Sequence, residues 1–277
     1  MSQAIILCAD DYGHTAAVSR AILDLAGKGR ISALSCMTAS PFWREHGRWL
    51  KDAGVNADIG LHITLVDEAP LTSMPHTAPS GRLPNISTLI RKSYLRQLDL
   101  AEIAGEVRAQ REAFEDVMGF SPHHLDGHLH THVLPGIRDV TLRMAREMRE
   151  TPWIRNINDR LIAVAGRGVA APKAAFLSAL GGGLWRQAGA LRERMNQSFS
   201  GVYAFTPQNT HYGSMFEHFV THVSNRHTIL CHPGGADDDA AHAPLRAGEY
   251  AFLNSSSFAD LLARRDLKLG RFADLGP

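Results

Sequence analysis

The chain has 277 residues, and its 29 Lys and Arg against 28 Asp and Glu give a formal net charge of +1. Hydrophobic residues make up 44% and charged residues 21%, which fits a folded chain with a sizeable core and excludes a disordered one. The balanced, interspersed signs remove the electrostatic case for a nucleic-acid partner or an anionic membrane, and no apolar run reaches the roughly 20 residues that span a bilayer. The first residues, MSQAIILCADDYG, lack a basic flank and meet acids at once, so they predict no signal peptide and a cytoplasmic protein. The chain then alternates between two kinds of segment. AIILCAD (4–10) predicts a strand and 14–29 a helix; ALSCMTA (33–39) predicts a strand and 42–54 a helix; ADIGLHITLV (57–66) predicts a third strand. Residues 67–92 hold several prolines and read as an inserted loop, followed by the longest helix candidate at 93–118. A short strand around 123–126 precedes a helix at 135–148 that opens on Pro and Gly. WIRNIN (153–158) predicts a strand. Residues 159–199 predict two helices broken at Gly181, Gly182 and Gly183. Strands at 201–207 and 227–232 flank a helix at 214–223, and a helix at 249–265 and a strand at 267–275 close the chain.

Repeated β-then-α units call for parallel strands with right-handed crossovers. No GxGxxG follows the first strand, so the expected fold is an α/β structure of the TIM-like (β/α) barrel kind. It forms one domain over 1–277, with a variable helical insertion at about 159–199. Cys8, Cys36 and Cys231 are too few and too scattered for a disulfide framework, and read as packing residues.

Among 15 histidines, the informative ones fall where strands should end. Asp10 and Asp11 follow the first strand, His62 sits in GLHITL, and HHLDGHLHTH (123–132) holds His124, Asp126, His128, His130 and His132. His232 follows TILC. In a parallel barrel the C-terminal strand ends converge on one face, so these four clusters predict one site. Two adjacent acids repel unless a cation or a proton relieves them. One carboxylate and two imidazoles, Asp11, His62 and His128, form the expected ligand set, which suits Zn²⁺ or another first-row dication. Asp10 is the candidate general base and His232 the candidate acid for a leaving nitrogen. On a strand, His124, Asp126 and His128 share a face, and Asp126 would orient a ligand imidazole. His130 and His132 lie past the strand, as support or substrate contacts. Arg155 could bind substrate, pair with an acid, or form a surface salt bridge.

With these motifs together, the chain resembles the YdjC-like family of carbohydrate deacetylases, also called the ChbG and HpnK family. The matching pieces are ADDYG, GLHITL, HLDGHLHTH and CHPG, in family order, with a similar C-terminal stretch from Glu249 onward. The resemblance implies a barrel related to polysaccharide deacetylases. It implies a hydrolase that removes the N-acetyl group from an acetylated amino sugar, such as a chitooligosaccharide, with one divalent metal ion, magnesium. It places the metal ligands on Asp11, His62 and His128, the paired acid on Asp10 and the late histidine on His232. The chain departs from many relatives at Thr228, where they carry Glu, and over most of 159–225. Rival expectations are another metal-dependent hydrolase, a phosphoesterase or an amidohydrolase, suggested by the HxH pair in HLHTH, and a non-catalytic sugar-binding barrel. The sequence leaves open whether the chain forms a homodimer.

Overall fold

Strand β1 (Gln3–Tyr12) forms on the run AIILCA. Ile5, Ile6, Leu7, Cys8 and Ala9 have no exposed surface, as befits a parallel strand covered on both faces. In this computed structural model, which describes residues 2–206, 211–236 and 242–275, β1 is the centre of an eight-stranded sheet. Its partners are β2 (Ala33–Cys36), β3 (Asp58–Ile63), β4 (His124–Gly127), β5 (Trp153–Ile154), β6 (Ser198–Ser200), β7 (His227–Cys231) and β8 (Leu267–Leu269). The spatial order is β5-β4-β3-β2-β1-β7-β6, and every ladder is parallel.

Parallel neighbours need long crossovers. Helices supply them: α1 (Ala16–Gly27), α2 (Trp43–Ala53), α3 (Ile86–Tyr94), α4 (Leu100–Met118), α5 (Ile137–Glu147), α6 (Leu161–Arg167), α7 (Ala171–Leu191) and α8 (Tyr212–Phe219), with α9 (Ala243–Leu253) and α10 (Ser256–Arg264) after β7. No helix among the described residues is long and apolar enough to cross a membrane.

The sheet curls, and its two edges meet at one isolated parallel bridge, Ile154 to Met195. The ladders show a curled parallel α/β sheet rather than the eight-membered ring of a TIM barrel. The reason is local. β7 pairs directly with β1 over Ile5–Ala9, the place an eighth strand takes in a closed ring, and the short β8 instead pairs with Gln3–Ile5 at the bottom of β1, below the β2 pairing that starts at Cys8. The chain after β8 then turns Phe272 into the curl, where it packs with Ile6, Cys8, Ala33 and Trp153.

Several expected boundaries move, each for a capping or packing reason. The helix expected at 93–118 starts at Leu100, because the Asp99 side chain accepts from the backbone N–H of Ala101 and Glu102. The end of the supposed loop is α3, capped by Asn85 on Thr88. The helix expected at 249–265 is two helices, with Ser255 capping α10. The strand expected at 201–207 lies earlier, at β6, and Pro207 falls outside the described residues. The strand expected at 267–275 ends at Leu269. Gly181 to Gly183 do not break α7. At Gly181 they let it press on the chain after β5, since a Cβ there would stand 2.8 Å from the Asn158 backbone nitrogen.

Candidate metal centre and catalytic cavity

Side chains alternate across a strand, so residues two apart stack as layers inside the curl. Ile6, Cys8 and Asp10 rise along β1, Gly60 and His62 along β3, His124 and Asp126 along β4. Gly60 in GLHITL is a packing requirement, because any Cβ there would overlap the His124 ring. Apolar residues thus fill the bottom, polar ones the middle, and carboxylates with imidazoles the top.

At the top, β1 leaves regular pairing. Ala9 stands opposite Leu34 but Tyr12 opposite Cys36, one residue too many on β1. Asp11 takes up this bulge with φ 71°. A regular strand would send Asp10 and Asp11 to opposite faces. The bulge re-aims them, and both line the same cavity of about 550 Å³.

Asp11, His62 and His128 come together there, one donor atom from each lying within 4.8 Å of the others. Asp11 Oδ1 is 3.3 Å from His62 Nε2 and 2.9 Å from His128 Nδ1. Strand alternation predicted His128 on β4 beside His124 and Asp126, but the strand ends at Gly127 and His128 opens the 3-10 turn His128–Val133, where Leu129 and His130 have φ of 50° and 59°. Arg246 on α9 donates to the other Asp11 oxygen, Oδ2, at 2.5 Å, which leaves Oδ1 for the imidazoles. Asp126 Oδ1 accepts from His62 Nδ1 at 2.6 Å and so turns Nε2 toward Asp11. Burial opposes charge on His62, yet Asp126 and Asp11 outweigh it and raise the imidazole to about 10. Burial also opposes the Asp11 carboxylate, but His128 and Arg246 hold it well below the usual carboxylate range. The cluster of two acids around one imidazole therefore calls for positive charge at the Nε2 position, which a proton or a metal ion can meet.

Arg155 is the hub beneath. It has no exposed surface, so among the three expectations for it the pairing with acids is what the structure shows. Its guanidinium forks onto both Asp10 oxygens at 2.6 and 2.7 Å and reaches Asp126 Oδ2 at 2.5 Å. Ser35 Oγ donates to the same Asp126 oxygen at 2.5 Å and lies 2.9 Å from His124 Nε2. Cys8, His124 and Asp126 also lie within mutual ligand distance. A guanidinium nitrogen already sits 3.0 Å from Cys8 Sγ, however, and burial pushes that thiol's pKa up, so this layer has its cation built in.

The other histidines divide. His130 and His232 line the cavity. Burial lowers the His232 imidazole to about 4, so it is neutral near pH 7. His124 and His132 have no exposed surface and do not reach the cavity. His132 Nε2 donates to the Arg155 carbonyl at 2.9 Å and so supports the hub. Cys231 and His232 point apart as neighbours on a strand end should, the thiol toward the Cys8 carbonyl. Sequence reasoning missed Ser35, Arg246, Tyr203 and Glu249. The available signal was the three-residue spacing of Arg246 and Glu249, which puts both on one helix face.

Two chitooligosaccharide deacetylases, from Yersinia pestis (strain Pestoides F) and Yersinia pseudotuberculosis serotype O:1b (strain IP 31758), are each 28% identical over 278 residues, covering 99% of this chain and 100% of the relative. A solved structure from Enterococcus faecalis V583, provisionally described as a cellobiose-phosphate cleavage protein, superposes with a TM-score of 0.73 at 20% identity and covers 100% of both chains, which shows a shared fold. The family model of YdjC-like proteins matches residues 4–264, and the chain belongs to that family.

Proposed function

We propose that this protein is a metal-dependent hydrolase that removes the N-acetyl group from an amino sugar containing N-acetylglucosamine. The observation that carries the reading is the meeting of Asp11, His62 and His128 in one cavity with Asp10 and His232. Kinship with chitooligosaccharide deacetylases supports the substrate class. The residues fit a divalent cation: Arg246 takes Asp11 Oδ2, Oδ1 faces the two imidazoles, and Asp126 turns His62 Nε2 to meet it. Zn²⁺ or another first-row dication suits the mixed N and O donors, and the family resemblance favours Mg²⁺.

A bound dication supplies Lewis acidity toward the acetamide carbonyl and acidifies water. The chain's own groups do the rest. Asp10, fixed by the Arg155 fork, keeps lone pairs for a proton from the attacking water. His232 is neutral in the resting site, so it first takes up the proton that Asp10 receives from the attacking water; as imidazolium it passes that proton to the departing nitrogen, and both residues return to their resting forms. Acetate and a free amino sugar result.

The test is acetate release from N-acetylglucosamine oligomers by protein of defined metal content. Release should scale with metal load and stop on chelation. Fully metallated protein that is inert on every acetamido sugar, yet releases phosphate from phosphoesters, would favour the phosphoesterase rival instead.

A further inference from the structure

Helix α9 carries two buried charged residues one turn apart, Arg246 and Glu249. Residues three apart share a helix face, and this face meets the cavity wall. Arg246 holds Asp11 Oδ2. Glu249 has no exposed surface, and a buried carboxylate is costly unless donors take up its oxygens. Here both oxygens have donors. Oε2 accepts from the His232 backbone N–H at 2.6 Å, and Oε1 accepts from the Tyr203 hydroxyl at 2.5 Å.

Both contacts lead to His232. The ladder between β1 and β7 stops at Cys231, so the next amide needs a partner other than the strand, and Pro233 carries no N–H. Glu249 supplies that partner. By the second route, the Tyr203 ring stacks on Phe205 with centroids 4.6 Å apart, and Phe205 stands edge-on to the His232 ring at 5.1 Å. One carboxylate thus fixes the residue by its amide and backs its ring through two aromatics.

We propose that Glu249 is a positioning residue that sets His232 at its working distance from the Asp11, His62 and His128 cluster. The inference rests on the reading of His232 as the proton donor of a deacetylase. Its role differs from that of Arg246 on the same face, which acts on a ligand carboxylate.

The experiment compares Glu249→Ala, Glu249→Gln and Tyr203→Phe with wild type. Three quantities are read: kcat and KM for acetate release, cobalt(II) affinity of the metal-free protein, and the His232 amide proton shift in protein labelled with [15N]histidine. Glu249→Ala should lower kcat on the order of 100-fold, the scale of a 1 Å misplacement. KM and cobalt affinity should stay within about twofold. The His232 amide proton should move upfield as its short hydrogen bond to Glu249 is lost. Glu249→Gln keeps an acceptor oxygen, so it should hold the amide shift and recover most of kcat; Tyr203→Phe cuts only the second route and should fall between. An unchanged kcat in Glu249→Ala, an equal fall in kcat and cobalt affinity, or a Gln variant no better than Ala would overturn the proposal. Should the Ala variant not fold, the contrast between Gln and Phe variants decides in the same way. A wild-type protein that releases no acetate would defeat the deacetylase reading instead; the amide shift then still decides whether Glu249 holds His232.

Discussion

The N-terminal half of the chain and its last third build the site by different means. β1, β3 and the turn after β4 aim the candidate ligands Asp11, His62 and His128 at the cavity directly. α9 contributes no candidate ligand; it holds groups that other elements present, Asp11 through Arg246 and His232 with Tyr203 through Glu249. The first half can do this because strand ends of a parallel sheet converge on one face. The last third works by occupying lone pairs and amides that would otherwise leave those groups free to turn. Ligand chemistry is thus concentrated in short motifs, while its geometry depends on a helix more than 100 residues away in sequence.

The comparison breaks most sharply at His62. His62→Ala removes a candidate ligand and should cut metal affinity and acetate release by more than about 10³-fold, against the roughly 10- to 100-fold typical of losing a group that only supports a ligand. Metal stoichiometry after dialysis checks it, and a variant that keeps one tightly held ion contradicts the assignment. Next in size is a pH effect in the support layer. Burial lowers the His132 imidazole to about 4 from its ordinary 6.5. The unfolded chain takes up this proton below pH 6.5, but the native state waits until about 4, so stability should fall as pH drops through that window and level off beneath it. The total is about 3 kcal/mol at 1.36 kcal/mol per pKa unit. Urea unfolding from pH 7.5 to 4 measures it, and His132→Asn should flatten the slope; an unaltered slope would mean that other groups cause the acid sensitivity. The smallest effect belongs to Arg246→Ala, which sharpens the contrast with His62. It should weaken metal affinity about 10- to 100-fold without abolishing it. A loss as complete as that of His62→Ala would make α9 part of the ligand shell in effect.

How much of this was legible in the sequence follows from the same contrast. The parallel α/β class and the meeting of Asp10, Asp11, His62, His128 and His232 could be read from strand-end motifs, because βα repetition fixes which end of every strand faces the cavity. The bulge at Asp11 could not, since it depends on register against β2. Nor could the hub role of Arg155, because the strand before it is only two residues long and alternation has little to work on. Arg246 fell in a supposed loop: the last helix was expected to start at 249, but α9 starts at Ala243 with a proline in its first turn. Its pairing with Glu249 on one face appears only once that boundary is right. The displacement of β8 was likewise hidden, because it turns on whether β7 reaches β1 first.

The central claim is that one cation sits among Asp11, His62 and His128, and locating the ion tests it most directly. Anomalous diffraction from crystals of the zinc-loaded protein would show it. The account predicts a single strong peak with a carboxylate oxygen of Asp11 and ring nitrogens of His62 and His128 at about 2.0–2.2 Å. A peak at Cys8, His124 and Asp126, or only at the surface group His76, Asp99 and Glu102, would contradict it.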